Sequence, residues 1–431
     1  MIIRIAIILV LSLLLCSNTW AADVVENTAS LFGPYGSKYE RVQGIPREHV
    51  APLATAGEVV VVMSYFASGT YENVKAFADY GATARDSFDL GSDIHNHLHL
   101  TRLGDVIYVV GNNYPAIGGL TYKEIHRVDV TDITNISRIG SAVTITDAGG
   151  VTDAVGAIAF YRDGDSLMCI NRGPNAMNTD YVRSDDSGLT WEGSYSVAYA
   201  YDRITRMDLD PMGDSLSALI MDYNTVGISS FDWIMYDPGT GWTGFVEITA
   251  DADFERLYSS VVGRDNTVHV SYMDDENPSH VLHAWRNPSG GAWTIDTVFT
   301  ADQAVTGNVG LWTAMTFSKY ASVTRIFYTI NNGNTAEALW CRKWDYSTDS
   351  WEDDPLEVSN ASATEVCNTG GCLDVPVTHL DRAYVTFMQL VGGNWSTVMV
   401  TVYDSEATEY TGEEGAVTNQ IGAVKLGNVK L

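Results

Sequence analysis

Basic residues are scarce in this chain: 25 Lys and Arg stand against 54 Asp and Glu, a formal charge of −29 over 431 residues. No Lys/Arg-rich run reverses this balance locally, so a phosphate backbone is repelled and nucleic-acid binding is excluded as a function. Long apolar runs are also missing, apart from Ile5–Leu15, which is too short to span a bilayer. Cysteine is rare, with five residues, and Cys-x4-Cys at Cys367 and Cys372 is not a zinc spacing. Proline is limited to 11 residues. What the chain does contain is 38 Gly, 23 Tyr, 12 Phe and 11 Trp, a composition that excludes disorder.

Residues 1–22 read as a secretory signal: Arg4 precedes the apolar run, and Thr19-Trp20-Ala21 offers a cleavage pattern. Cys16 follows the bulky Leu15, which argues against a lipoprotein signal. The protein is therefore expected to be secreted, extracellular or periplasmic. In that oxidising setting Cys367 and Cys372 are expected to form a local disulfide, leaving Cys169 and Cys341 as buried thiols.

Strand-like apolar runs follow a turn at Gly57, Gly104, Gly164, Gly213, Asp265, Ser322 and Asp381, at separations of 47, 60, 49, 52, 57 and 59 residues. Each is preceded by a shorter strand, beginning near His49, His97, Ala157, Thr205, Tyr258, Trp312 and Leu373. A second marker, an apolar anchor closing each unit, recurs at Phe88, Ile139, Trp191, Trp242, Trp293, Trp351 and Tyr410. Both markers count seven units. Four strands in about fifty residues, repeated, predict an all-β chain: a seven-bladed β-propeller with four antiparallel strands per blade. A four-stranded sheet with two apolar faces buries them only by stacking on its neighbours, and a ring leaves no end exposed. The expected layout is a signal peptide at 1–22, a segment at 23–43 that helps close the ring, and one propeller at 44–431. Residues 413–431 are expected to supply the last outer strand.

Ser184-Asp185-Asp186-Ser187-Gly188-Leu189-Thr190-Trp191 fits S-x-D-x-G-x-T-W. This resembles the Asp-box of sialidase-like propellers, the bacterial neuraminidase repeat. The structural residues of the motif would be Ser184, Asp186, Gly188, Thr190 and Trp191. Partial copies lie at Asp237–Trp242, Asn287–Trp293 and Asp345–Trp351. No GH…WD pairing or Gly-Gly of kelch type occurs, so the sialidase-like class is preferred over those repeats.

Ligands of propellers gather where strand-one starts and two–three loops share a rim. Polar residues at those positions are His49, Asp93, His95, Asn96, His97, Asn112, Asn113, Tyr114, Arg172, Arg203, Arg206, Tyr223, Arg256, Tyr258 and Trp312. The densest cluster is Asp93-Ile-His95-Asn96-His97-Leu98-His99, where strand alternation would put the three rings on one side. Imidazoles there suit a general base or a charge neutraliser near neutral pH, and equally suit strand-end hydrogen bonding. No cofactor motif is present. Asp208–Asp214 and Asp274–Glu276 lack the EF-hand pattern, and a structural calcium or zinc is left open.

Asp-x-His-Asn followed by Gly104–Gly111 resembles a repeat of secreted propeller polysaccharide lyases, including ulvan lyases. The resemblance implies β-elimination next to a uronate. His95 or His97 would be base or neutraliser, Arg172 or Arg206 would neutralise the carboxylate, and Tyr223 would serve as acid. His49, Asn96, Asn112, Tyr114, Arg203, Arg256, Tyr258 and Trp312 would bind substrate. Sialidases carry Arg-Ile-Pro in their first blade, where this chain reads Gly44-Ile45-Pro46. The expected function is therefore cleavage of an acidic polysaccharide. A sialidase-type hydrolase and a non-catalytic glycan-binding or cell-envelope propeller are the alternatives. The expected partner in each case is a polysaccharide or glycan.

Overall fold

The computed structural model of the chain describes residues 23–35, 41–46, 59–66, 70–78, 83–91, 96–117, 120–145, 154–161, 166–172, 179–192, 195–196, 204–212, 214–223, 229–243, 246–249, 259–262, 266–273, 280–287, 289–300, 313–318, 323–331, 336–345, 350–352, 355–359, 363–366, 373–374 and 382–404. These are strands and the turns between them, so the fold is all-β, as the sequence predicts. Among the described residues the strands form seven antiparallel sheets of four or five strands, numbered 1–7 here in the order of their first strands. Six sheets are simple meanders of consecutive strands.

The first strands are Arg41–Pro46, Asn96–Leu103, Ala154–Tyr161, Ile204–Met212, Ser259–Val262 and Thr313–Ser318, and in sheet 7 the short pieces Ala363–Val366 and Leu373–Asp374. The second strands are Val59–Phe66, Val106–Ile117, Ser166–Arg172, Ser215–Tyr223, Val268–Met273, Val323–Asn331 and Arg382–Val391. Each second strand lies in the run that the sequence pattern marks after a turn. Each first strand packs against the first strand of the preceding sheet. The circuit closes where Arg41–Pro46 meets Leu373–Asp374 and Arg382–Val391.

Two expectations are corrected. The first strand of sheet 1 is Arg41–Pro46, paired in register with Val59–Phe66, whereas the sequence reading placed it near His49. The apolar run nearest the turn misled that reading, because antiparallel pairing does not require a tight turn. The outer edge of sheet 7 is covered by Asp23–Tyr35, which pairs with Asn394–Asp404 from Asp23↔Asp404 to Tyr35↔Trp395. Residues 413–431, expected at that edge, lie outside the described residues. One edge offers one ladder of hydrogen-bonding groups, and here the N-terminal strand satisfies it.

The core explains why the second strands read as continuous apolar runs. Successive side chains of a strand point to opposite faces, and here both faces are covered. In sheet 2, Ile107 and Val109 join Val74, Ala76 and Leu90 of sheet 1. The alternate residues Tyr108 and Val110 join Phe160, Leu167 and Cys169 of sheet 3. Sheet 3 repeats the device, turning Met168 and Ile170 towards Leu216 and Ala218 of sheet 4. Leu219 and Trp233 of sheet 4 then meet Val268 and Val270 of sheet 5. Further clusters join Val281 and Val298 to Ile326 and Tyr328 across sheets 5 and 6, and Phe327 and Cys341 to Val385 and Phe387 across sheets 6 and 7. Each fully buried Val, Leu or Ile contributes about 1.5–3 kcal/mol, so the junctions between sheets carry most of the stability. Cys169 and Cys341 are buried free thiols inside these clusters. Among the described residues no helix is long and apolar enough to cross a membrane.

Candidate functional site

In the antiparallel hairpin formed by the first two strands of a sheet, the start of strand one lies beside the end of strand two. Register puts Asn96 opposite Asn112 in sheet 2, Ala154 opposite Arg172 in sheet 3, and Ile204 opposite Asp222 in sheet 4. The backbones of Asn96, His97, Asn112, Tyr114, Arg172, Arg206 and Tyr223 therefore all lie towards the same end of their hairpins, in three consecutive sheets. For these seven residues the structure describes backbone positions. His49, His95, Arg203, Arg256, Tyr258, Trp312, Cys367 and Cys372 lie outside the described residues.

An extra residue interrupts the first strand at this end in all three sheets. The register shifts fall between Asn96 and His99, between Val155 and Ala157, and between Ile204 and Arg206. A bulge of this kind bends the strand and re-aims its side chains, and bulges concentrate at barrel rims and beside active sites. The bulge in sheet 2 contains His97. It breaks the two-residue alternation expected for His95, His97 and His99, so a common side for the three rings does not follow from spacing. The bulges were not legible in the sequence, because an inserted residue changes neither composition nor the mean alternation of a short strand.

The turn at 184–191 joins the third and fourth strands of sheet 3, at the other end of the sheet from Arg172. Its geometry follows from its residues. The Ser184 hydroxyl donates to Asp186 Oδ1 at 2.8 Å and accepts the Gly188 N–H at 2.7 Å. Asp186 Oδ1 also accepts the N–H groups of Leu189 and Thr190 at 3.0 and 2.8 Å, and Oδ2 accepts the Thr190 hydroxyl at 2.6 Å. Partial burial of Asp186 opposes its charge, but the donors from Thr190, Ser184 and Leu189 outweigh it and hold the carboxyl below its ordinary pKa. Gly188 has φ +81°, and a Cβ there would come within 3.2 Å of Ile125 on sheet 2. Trp191 packs into the cluster shared by sheets 2 and 3.

The same acceptor arrangement recurs in simpler form. Asp237 Oδ1 accepts from Gly239 and Thr240, and Asn287 Oδ1 accepts from the N–H and hydroxyl of Ser289. These turns organise the joints between strands and present no converging base, cation and acid.

Side chains that the sequence reading missed lie in the junctions. Arg183 of sheet 3 donates to the Tyr236 hydroxyl of sheet 4 at 3.0 Å and pairs with Glu192 at 2.6 Å. Lys343 is buried against Glu352 at 2.9 Å. His269 and His283 of sheet 5 are buried with Nδ1 of the first 2.9 Å from Nε2 of the second. The polar residue inside Val268-His-Val-Ser-Tyr272 was the available signal, since the alternation placed His269 on a buried face. Among the described residues no group of three His, Cys, Asp or Glu side chains converges to hold a metal ion.

No protein-family profile matches the chain. No curated protein sequence matches it either. Solved structures do. The polysaccharide lyase Uly1 is 8% identical, with a TM-score of 0.54, covering 88% of this chain and 99% of its own. A PL25 ulvan lyase bound to -[GlcA(1-4)Rha3S]- is 12% identical, with a TM-score of 0.50, covering 85% of this chain and 95% of its own. The endosialidase of phage phi92 is 10% identical, with a TM-score of 0.50, covering 90% of this chain and 70% of its own. At these identities the likeness is one of fold. The chain shares the propeller fold of sialidase-like proteins and propeller polysaccharide lyases, matching the resemblance carried by its motifs.

Proposed function

We propose that the chain is a secreted seven-bladed β-propeller that cleaves an acidic, uronate-containing polysaccharide by β-elimination at the bulged rim of sheets 2–4. The seven sheets and their closed circuit of first strands support the blade count. The observation that carries the functional reading is the bulge repeated at one end of three neighbouring sheets, beside His97 in sheet 2 and Arg206 in sheet 4. Ring-shaped folds acquire function where the ends of several units converge, and irregular backbone held there is retained for the side chains it aims.

β-Elimination needs three groups at one place. A base removes the proton at C5 of the uronate, a cation neutralises the carboxylate so that the enolate-like state is accessible, and an acid protonates the departing glycosidic oxygen. In this reading His97 or His95 is the base or neutraliser, Arg172 or Arg206 faces the carboxylate, and Tyr223 donates to the leaving oxygen. Asn96, Asn112, Tyr114, His49, Arg203, Arg256, Tyr258 and Trp312 line the groove. The proton leaves carbon, the C4–O bond breaks, and a C4–C5 double bond remains, so the reaction balances without water or cofactor.

The test is a panel of uronate-containing polysaccharides assayed by ultraviolet absorbance of the unsaturated ends, beside a fluorogenic sialoside. Absorbance that grows with enzyme on a uronate polymer supports the lyase. Release of the fluorophore alone supports a sialidase-type hydrolase. Silence in both, with retention on an immobilised acidic glycan, makes the chain a binding propeller.

A further inference from the structure

The junction between sheets 4 and 5 carries a cation where the equivalent slot of its neighbours carries an aromatic ring. The residue immediately before the turn Asp or Asn is Tyr236 in sheet 4, Arg286 in sheet 5 and Trp344 in sheet 6. Their register partners on the second strands are Leu216, Val268 and Thr324. Each faces the preceding sheet: Tyr236 joins the cluster shared with sheet 3, and Trp344 joins the one shared with sheet 5. Arg286 lies with its Cζ 5.3 Å from the ring centre of Trp233 on sheet 4. Packing in this slot is met by a neutral ring on either side, so it does not require a guanidinium.

Cations in the flanking junctions reach acceptors. Arg183 meets the Tyr236 hydroxyl and Glu192, and Arg342 donates to the carbonyls of Val298 and Glu352. The Arg286 side chain makes no hydrogen bond or ion pair among the described residues, and its Nε and Nη1 are buried without an acceptor. A chain of net charge −29 has carboxylates to spare, yet none is placed here. The surroundings are apolar and open on one side. Trp293 stands edge-on to Trp233 with ring centres 6.3 Å apart, packed on the same cluster. Ile295 is the register partner of Ala284, which puts it on the Arg286 face of sheet 5, and it is 45% exposed. Gly290 and Gly291, in the turn that follows Arg286, are exposed, and a Cβ on either would meet nothing within 4 Å.

We propose that Arg286, Trp293 and Ile295 form a second binding site for an acidic sugar, at the end of sheets 4 and 5 away from the bulged rim. The guanidinium offers a planar set of donors to the sugar carboxylate, and the Trp233 face holds that plane in place. The apolar face of the pyranose ring lies against Trp293 and Ile295, the usual division of labour in a site with few polar groups. Repulsion from the rest of the acidic surface is screened beyond about 8 Å at physiological ionic strength, so the local cation decides the contact. A polymer held here stays close to the rim and raises the concentration of substrate there without taking part in the reaction. The choice of an acidic sugar as ligand rests on the reading of the chain as acting on acidic polysaccharide. The place of the cation and its lack of an acceptor do not.

The experiment titrates the isotope-labelled full chain with a glucuronate trisaccharide at about 0.15 M salt and follows the arginine Nε–H resonances. Arg286→Lys, which lacks that N–H, identifies the Arg286 signal. The signal is expected to move and saturate with the acidic trisaccharide and to stay still with its uncharged methyl ester. Affinity for an immobilised uronate polymer should fall about tenfold in Arg286→Gln and by less in Arg286→Lys, which keeps the charge. Arg172→Ala, at the rim, should lose turnover and keep the Arg286 response. A wild type that shows the response but cleaves no uronate polymer retires the lyase reading and retains this site. A signal that ignores the acid, or answers acid and ester alike, overturns the site whatever the rim does, and so does unchanged affinity in a folded Arg286→Gln. Should Arg286→Gln not fold, the comparison of acid with ester on the wild type decides.

Discussion

Ser184 Oγ lies 2.8 Å from Asp186 Oδ1 and 2.7 Å from the amide nitrogen of Gly188, so one hydroxyl joins the carboxylate and the backbone of the turn that docks sheet 3 on sheet 2. The turn therefore behaves as a small closed network in which each member positions the others. Removing one member leaves its partners without the groups they were built to meet.

Asp186→Ala removes the acceptor for Ser184, Leu189 and Thr190. Part of that network is solvated, so the expected loss is about 1–2 kcal/mol, read from the urea midpoint at constant m. Asp186→Asn should recover part of it. Because the Asp186 carboxyl is held below its ordinary value, its contribution is complete above about pH 4 and falls away as pH drops through the folded-state value. The difference between wild type and Asp186→Asn should accordingly shrink in acid.

Gly188→Ala should destabilise by about 1–3 kcal/mol, seen as a lower Tm. Two causes act together: φ of +81° disfavours a side chain, and the new Cβ would meet Ile125 at 3.2 Å and Leu167 at 3.4 Å. Gly241→Ala is the control. Its φ is +82° with nothing within 4 Å, so only the backbone cost remains and the loss should be smaller.

Ser217→Ala leaves the buried Trp233 indole N–H without its acceptor and should cost about 1–3 kcal/mol. Ser217→Thr keeps a hydroxyl but adds a methyl group to a fully buried position, so it should fall between the two. Equilibrium unfolding of the three proteins orders them.

Arg172→Ala and His97→Ala should each lower kcat/KM on the polysaccharide identified by the uronate panel by about 10²–10⁴ while leaving Tm within a degree or two. A matched loss of activity and Tm would assign these residues to folding instead. Asn113→Ala, at the same end of sheet 2, serves as a nearby comparison.

A net charge of −29 makes self-repulsion a standing cost of the folded state. Raising salt from about 0.05 M to about 0.5 M shortens the screening length and should raise Tm by several degrees, with chloride and acetate salts of sodium behaving alike. A fall in Tm over that range would mean that favourable ion pairs such as Arg183–Glu192 outweigh the repulsion.

The all-β fold and the turn chemistry at Ser184–Trp191 were legible because they rest on local rules. Alternation marks a strand, Gly and Asp mark a turn, and recurrence at fixed spacing marks a unit. Cys169 and Cys341, expected as buried thiols because they stand apart from the Cys367/Cys372 spacing, are buried and free. Which strand completes a sheet was legible only in part: the segment at 23–43 was expected to help close the ring, but not that Asp23–Tyr35 would take the outer edge of sheet 7, nor that Arg41–Pro46 would pair across a long connection with Val59–Phe66. Pairing energy depends on which edge is free in space, and sequence distance carries little information about that. The same holds for the bulge that contains His97, which is a single residue out of register, and for the buried contact between His269 and His283. Sequence by itself determined what each segment would become. The tertiary structure decided what each segment would touch, because burial and electrostatics are properties of neighbours and only the closed circuit of sheets chooses them.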